Sequence, residues 1–198
     1  MQALADASQI EFSAISAIDS STGSFIDNTI GRTGETAIWV DGEASPVIEQ
    51  NLVEPGESRG MEVFGFAAPT VRGNVFRGGL RGIVVGGDAF GLFENNDISG
   101  TEEQGILVYE QASPSMVDNI LHDLPTNCIH VTDTASGYFE ENHLFGCGTL
   151  SDEATYSAVS IGPHASPELI GNVIEGPGYP DIFNQNIKLD VSNNDIRP

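Results

Sequence analysis

The chain has 198 residues, with 29 Asp and Glu against seven Lys and Arg, for a formal net charge of −22. That balance argues against nucleic acid and anionic membrane surfaces as partners, because affinity for either rests on Lys and Arg. No apolar run approaches the roughly 18–20 residues of a membrane span, and the start lacks a basic segment leading into an apolar core.

Residues 1–13 are the least regular, and Leu4, Ile10 and Phe12 are expected to cover one end of the fold. From residue 14 to residue 198 one frame repeats. Its most constant member is an asparagine, at Asn28, Asn51, Asn74, Asn96, Asn119, Asn142, Asn172 and Asn194, with successive gaps of 23, 23, 22, 23, 23, 30 and 22 residues. An apolar residue stands three positions before each asparagine (Phe25, Ile48 and Val71 in the first three) and another two positions after it (Ile30, Val53, Phe76). A period of this size is the mark of a solenoid whose coils stack on one another.

Between asparagines lies a second apolar pair: Ile38 and Val40, Met61 and Val63, Ile83 and Val85, Ile106 and Val108, Ile129 and Val131, Val159 and Ile161. Alternation rich in Val and Ile predicts a short strand with one buried face. A small residue precedes each pair (Ala37, Gly60, Gly82, Gly105, Cys128, Ala158), as suits a tight bend entering a strand. Each coil thus reads as three short strands and three bends, with no helical stripe anywhere.

Asparagine suits the shortest bend because it tolerates left-handed backbone and because its amide both donates and accepts, so that stacked copies form a ladder. In these features the chain resembles the right-handed parallel β-helix of the pectate-lyase-like superfamily. The resemblance implies an all-β solenoid of about eight coils and three parallel sheets, with an asparagine ladder at the short turn. At about 4.8 Å per strand such a rod is on the order of 38 Å long. No cover is visible after Arg197, so the expectation is that a longer parent protein continues the coils, or that copies associate end to end.

Scarce Lys with abundant Asp and Glu resembles proteins of high-salt organisms, and calcium-rich extracellular proteins are the competing explanation. Cys128 stands in the small-residue slot and Cys147 in what reads as an irregular connection; their pairing is allowed but not required. Enzymes of the resembled superfamily place their cleft on the outer face of the first sheet. The residues between and beside the buried pairs point there. Trp39, Phe64 and Tyr109 project from that face, flanked by Arg59, Arg81, Glu62 and His130. Aromatic faces beside hydrogen-bonding groups suit sugar rings, which makes these seven the candidate polysaccharide contacts. The competing reading is an apolar strip, with Val84 and Leu107, covered by a loop or a partner. Seven extra residues in the longest gap fall within 146–157, and this insertion, with Asp152, Glu153 and Tyr156, is expected to overhang the face near His130.

Three chemistries fit the face. A lyase or epimerase acting on a uronic-acid polymer would use His130 or Tyr109 as base, with Arg59 or Arg81 on the carboxylate. Glycoside hydrolysis needs two carboxylates on neighbouring coils, and Glu62 with Asp41 or Asp88, or Glu110 with Asp133, meet that condition. Calcium would need converging oxygens, for which Asp88, Glu110 and Asp133 in the bend after the first sheet are the candidates. No other cofactor is implied, and no residue matches the superfamily's catalytic patterns one for one. The leading expectation is an extracellular or cell-surface module that binds polysaccharide without cleaving it. The others are the lyase or epimerase and a structural, adhesin-like stalk.

Overall fold

A computed structural model describes residues 13–150, 157–175, 181–186 and 188–197. The first sheet stacks eight parallel strands: Ile15–Ala17, Thr36–Val40, Arg59–Val63, Ile83–Val85, Ile106–Val108, Ile129–Val131, Val159–Ile161 and Ile182–Asn184. A second sheet of seven strands runs from Ser24–Ile26 to Glu168–Ile170, and a third of eight from Thr29–Ile30 to Asp195–Arg197. Every strand pairs with its counterpart one coil away, so Ile38 lies beside Met61, Met61 beside Ile83 and Ile83 beside Ile106. The predicted three-sheet parallel solenoid is therefore the observed one. Among the described residues no helix is long and apolar enough to cross a membrane.

The core is one column filled by the alternating apolar residues. Ile38, Met61, Ile83 and Ile106 come from the first sheet, Ile48, Phe93 and Phe139 from the second, and Phe76, Ile98 and Leu121 from the third; all are fully buried. The small-residue row does sit at the expected bend into the first sheet at Gly82, Gly105, Cys128 and Ala158, and its small size has a steric reason. Gly82 lacks a positive φ; a Cβ there would lie 2.5 Å from the Gly105 carbonyl oxygen and 2.6 Å from Ile98 Cγ2. Gly60 and Ala37 instead sit just inside their strands, and there too the row faces the lumen, Gly60 against the next coil's backbone.

The asparagine ladder runs without a break. Each Nδ2 donates to the Oδ1 of the next asparagine at 2.7–3.0 Å, from Asn28 through to Asn194. The same Oδ1 also accepts the backbone N–H of the preceding asparagine, as Asn96 Oδ1 does from Asn74 at 3.0 Å. One of the two reasons given for asparagine is wrong. The left-handed residue is its predecessor: Asp27, Gln50, Gly73, Asn95, Asp118, Glu141 and Gly171 have φ from 53° to 66°. The asparagine itself is held by hydrogen bonding alone, which a buried amide with two donors and an acceptor satisfies fully.

Cys147 does not lie in an irregular connection. It ends the third-sheet strand His143–Cys147, fully buried, and forms a disulfide with Cys128 across a Cα–Cα distance of 5.6 Å. Cys128 immediately precedes the first-sheet strand of that coil, Ile129–Val131, so the bond closes one rung of the solenoid into a ring. The irregular part of the longest coil consequently begins after Cys147 rather than at residue 146. The expected overhang of Asp152, Glu153 and Tyr156, like the cap over residues 1–12, falls outside the described residues.

Candidate functional site

The outer face of the first sheet carries the candidate contacts, and the strand register decides which of them meet. Trp39 lies beside Glu62, and the next residues along that row are Val84, Leu107, His130 and Ser160. The Trp39 and Phe64 rings are 5.2 Å apart and tilted, and Phe64 meets Tyr109 edge-on at 6.1 Å. Phe64 and Tyr109 belong to coils two apart. They touch because the coil between them supplies Gly86, where a Cβ would lie 2.6 Å from Phe64 Cε1 and 2.7 Å from Tyr109 Cε1. A continuous aromatic strip therefore crosses the sheet, each ring partly exposed.

Pointing outward is not the same as being exposed. Glu62, Val84 and Ser160 are only 7%, 2% and 6% exposed, and Thr36 and Asn127 beside them are buried too. Glu62 is held by two partners: the Thr36 hydroxyl donates to Oε2, and Arg59 Nη1 lies 3.4 Å from Oε1. Arg59 Nε is buried with no acceptor in the protein, an unmet donor next to that carboxylate. Arg81 is likewise engaged, by Gln104 Oε1 at 2.8 Å from its Nε and by the Glu103 carboxylate at its Nη2. Both arginines thus meet carboxylates of the protein before any ligand arrives.

Beside the strip lies an open groove of about 530 Å³, with Trp39, Phe64 and Leu80 as apolar lining and Glu35, Glu57, Arg59 and Glu62 as charged lining. His130 is not part of this lining. It sits farther along the face, where burial, reinforced by the positive charge of Arg81, lowers its pKa from 6.5 against the pull of Asp133. The Tyr109 phenol is pushed up from 10.0, by burial first and then by Glu110 and Glu62, while Arg59 and Arg81 oppose. A neutral imidazole and a protonated phenol are the resting forms near neutral pH.

The calcium candidates are turned onto the backbone. Glu110 Oε2 accepts the Gly87 N–H at 2.6 Å, and Asp133 Oδ2 accepts the Glu110 N–H at 3.1 Å. Asp88 stays exposed on the same bend. Among the described residues no three of His, Cys, Asp and Glu gather into a metal-sized cluster.

One cluster escaped the sequence reading. On the outer face of the third sheet His122 stacks on Phe145 at 4.9 Å and 7° while bridging Asp123 at 2.7 Å and Asp97 at 3.2 Å. Both rings stand three residues after their asparagines, so the frame itself held the signal.

The chain matches a family described as the right-handed β-helix region over residues 13–196. It is a right-handed β-helix protein. Curated proteins and solved structures yield no match to this β-helix. The family assigns the scaffold and its hand, a scaffold that carries many unrelated activities, so function has to be argued from the face itself.

Proposed function

We propose that this β-helix is an extracellular or cell-surface module that binds polysaccharide along the outer face of its first sheet without cleaving it. The observation that carries the reading is the Trp39–Phe64–Tyr109 strip, partly exposed and set beside a groove with polar groups at its floor. Sugar rings stack their C–H faces on such surfaces while hydroxyls bond the polar neighbours. The buried disulfide supports an oxidising compartment, where such bonds persist. The acidic surface is in keeping with solubility at high salt.

A lyase or epimerase acting on a uronic-acid polymer draws on one feature, the lowered pKa of His130, which leaves a neutral imidazole as a base. Against it, Arg59 and Arg81 are already neutralised by Glu62 and Glu103. The test is a glycan-array screen at low and multimolar salt, with and without calcium. The reading expects a hit that Trp39→Ala and Tyr109→Ala abolish while the far-ultraviolet spectrum stays that of the folded solenoid. Silence in every condition on folded protein overturns it and leaves a structural stalk.

A further inference from the structure

The sign of the charge around the groove narrows the ligand. Three carboxylates (Glu35, Glu57 and Glu62) line it against one guanidinium, that of Arg59. Arg59 is matched by Glu62 at 3.4 Å. Glu35 and Glu57 remain, both exposed and neither paired with a described basic residue. Arg32, which abuts Gly56 on the neighbouring coil, lies outside the lining and pairs with neither. The groove is thus negative inside a protein whose net charge is −22. A polyuronate entering it would meet two unmatched carboxylates and, among the described residues lining it, a single guanidinium that already faces Glu62.

Acidic side chains alone would be a solvated rim. What gives these a ligand is the Trp39–Phe64 pair lining the same groove: an aromatic face attracts an ammonium group as well as a sugar ring. Resting on the sugar-contact reading above, we propose that the groove selects amine-bearing glycans, polymers of an unacetylated amino sugar, over neutral and uronic-acid ones. The ring stacks on Trp39 and Phe64, and its protonated amine is held by Glu57 and Glu35. Each exposed carboxylate–ammonium contact contributes a factor of roughly 1.5 to 5 in affinity, and two together about ten-fold.

The experiment is titration calorimetry at pH 6, where a sugar amine is protonated, with three tetrasaccharides: an amino-sugar tetramer, its N-acetylated form and a tetra-uronate. At 50 mM salt the amine form binds about ten-fold more tightly than the acetylated form, and the advantage shrinks at 0.5 M salt as screening shortens the reach of the carboxylates. Glu57→Gln with Glu35→Gln erases the advantage, Trp39→Ala weakens both sugars, and Glu140→Gln on the second sheet changes neither. If the acetylated or uronate tetramer binds as well or better, the inference falls while sugar binding stands. Equal loss from Glu140→Gln reduces the effect to the protein's overall charge and also overturns the inference. If no tetramer binds, the sugar-contact reading falls and takes the inference with it.

Discussion

Removing one rung of the asparagine ladder tests whether it holds the solenoid together. In the wild type Asn96 makes four side-chain hydrogen bonds at 3.0 Å: it accepts from Asn74 N and Nδ2, and donates to Val71 O and Asn119 Oδ1. Asn96→Ala leaves some of those groups with other partners. Asn74 Nδ2 still reaches Ile48 O and Arg72 O, and Asn119 Oδ1 still accepts the residue-96 backbone N–H. The Asn74 N–H loses its acceptor inside the protein, at about 1–3 kcal/mol, and each further lost bond costs about 1 kcal/mol. With three such bonds the sum is about 4–6 kcal/mol. Asn28, at the partly exposed start of the ladder, only donates, to Asn51 Oδ1 and Ile26 O, and water can replace it. Asn28→Ala should therefore cost about 1 kcal/mol or less. Urea unfolding followed by circular dichroism measures both, provided the slope with denaturant stays constant between variants. A penalty below about 1 kcal/mol for Asn96→Ala, or equal penalties at the two sites, would refute the argument that buried amide pairing carries the stack.

Four other outcomes follow from the same structure. Replacing Cys128 and Cys147 together by alanine should lower stability by about 3 kcal/mol by urea midpoint, from the freed loop of sequence separation 19, since alanine already fits that slot at Ala37 and Ala158. Gly82→Ala forces a Cβ against backbone and should cost about 2 kcal/mol or more in the same assay. Gly86→Ala meets ring atoms of Phe64 and Tyr109 first rather than backbone, so it should cost less stability while disturbing sugar binding. His130 has a pKa lowered from 6.5 in the folded state, so the unfolded chain binds the proton more readily. Its contribution is neutral above pH 6.5 and turns against folding as pH falls below that value toward the folded pKa. The urea midpoint of His130→Gln should decline less between pH 7.5 and 5 than that of the wild type, and parallel curves would refute the assignment.

The periodicity made the fold legible, because one buried row per strand is enough to fix the register of a solenoid. What it hid follows from chemistry that varies along a row. The left-handed position before the first seven asparagines is filled by Asp, Gln, Gly, Asn, Asp, Glu and Gly in turn, so no residue type announced it. Strand alternation gave the direction of Glu62 and Val84 correctly but not their cover, since burial depends on how far neighbouring rings lean. The aromatic strip itself was readable from row positions, whereas the partners of Arg59 and Arg81 depend on side-chain rotamers that no sequence pattern encodes. The Cys128–Cys147 pairing stays open in the sequence because nothing in the row pattern marks the third-sheet strand as running on to Cys147.

The ladder step from Asn142 to Asn172 spans 30 residues, yet its hydrogen bond, at 2.9 Å, is no longer than those of steps spanning 23. The stack therefore measures only what passes through the short turn and is blind to how much chain is looped out on the way round. With the ring closed at Cys147 just upstream, added length there does not feed back into the coils already laid down. That makes the stretch after Cys147 a splice point: a peptide epitope, a binding loop or a sensor domain grafted into it would leave every rung in register. Evolution could vary the same stretch freely while the rod beneath it stays the same.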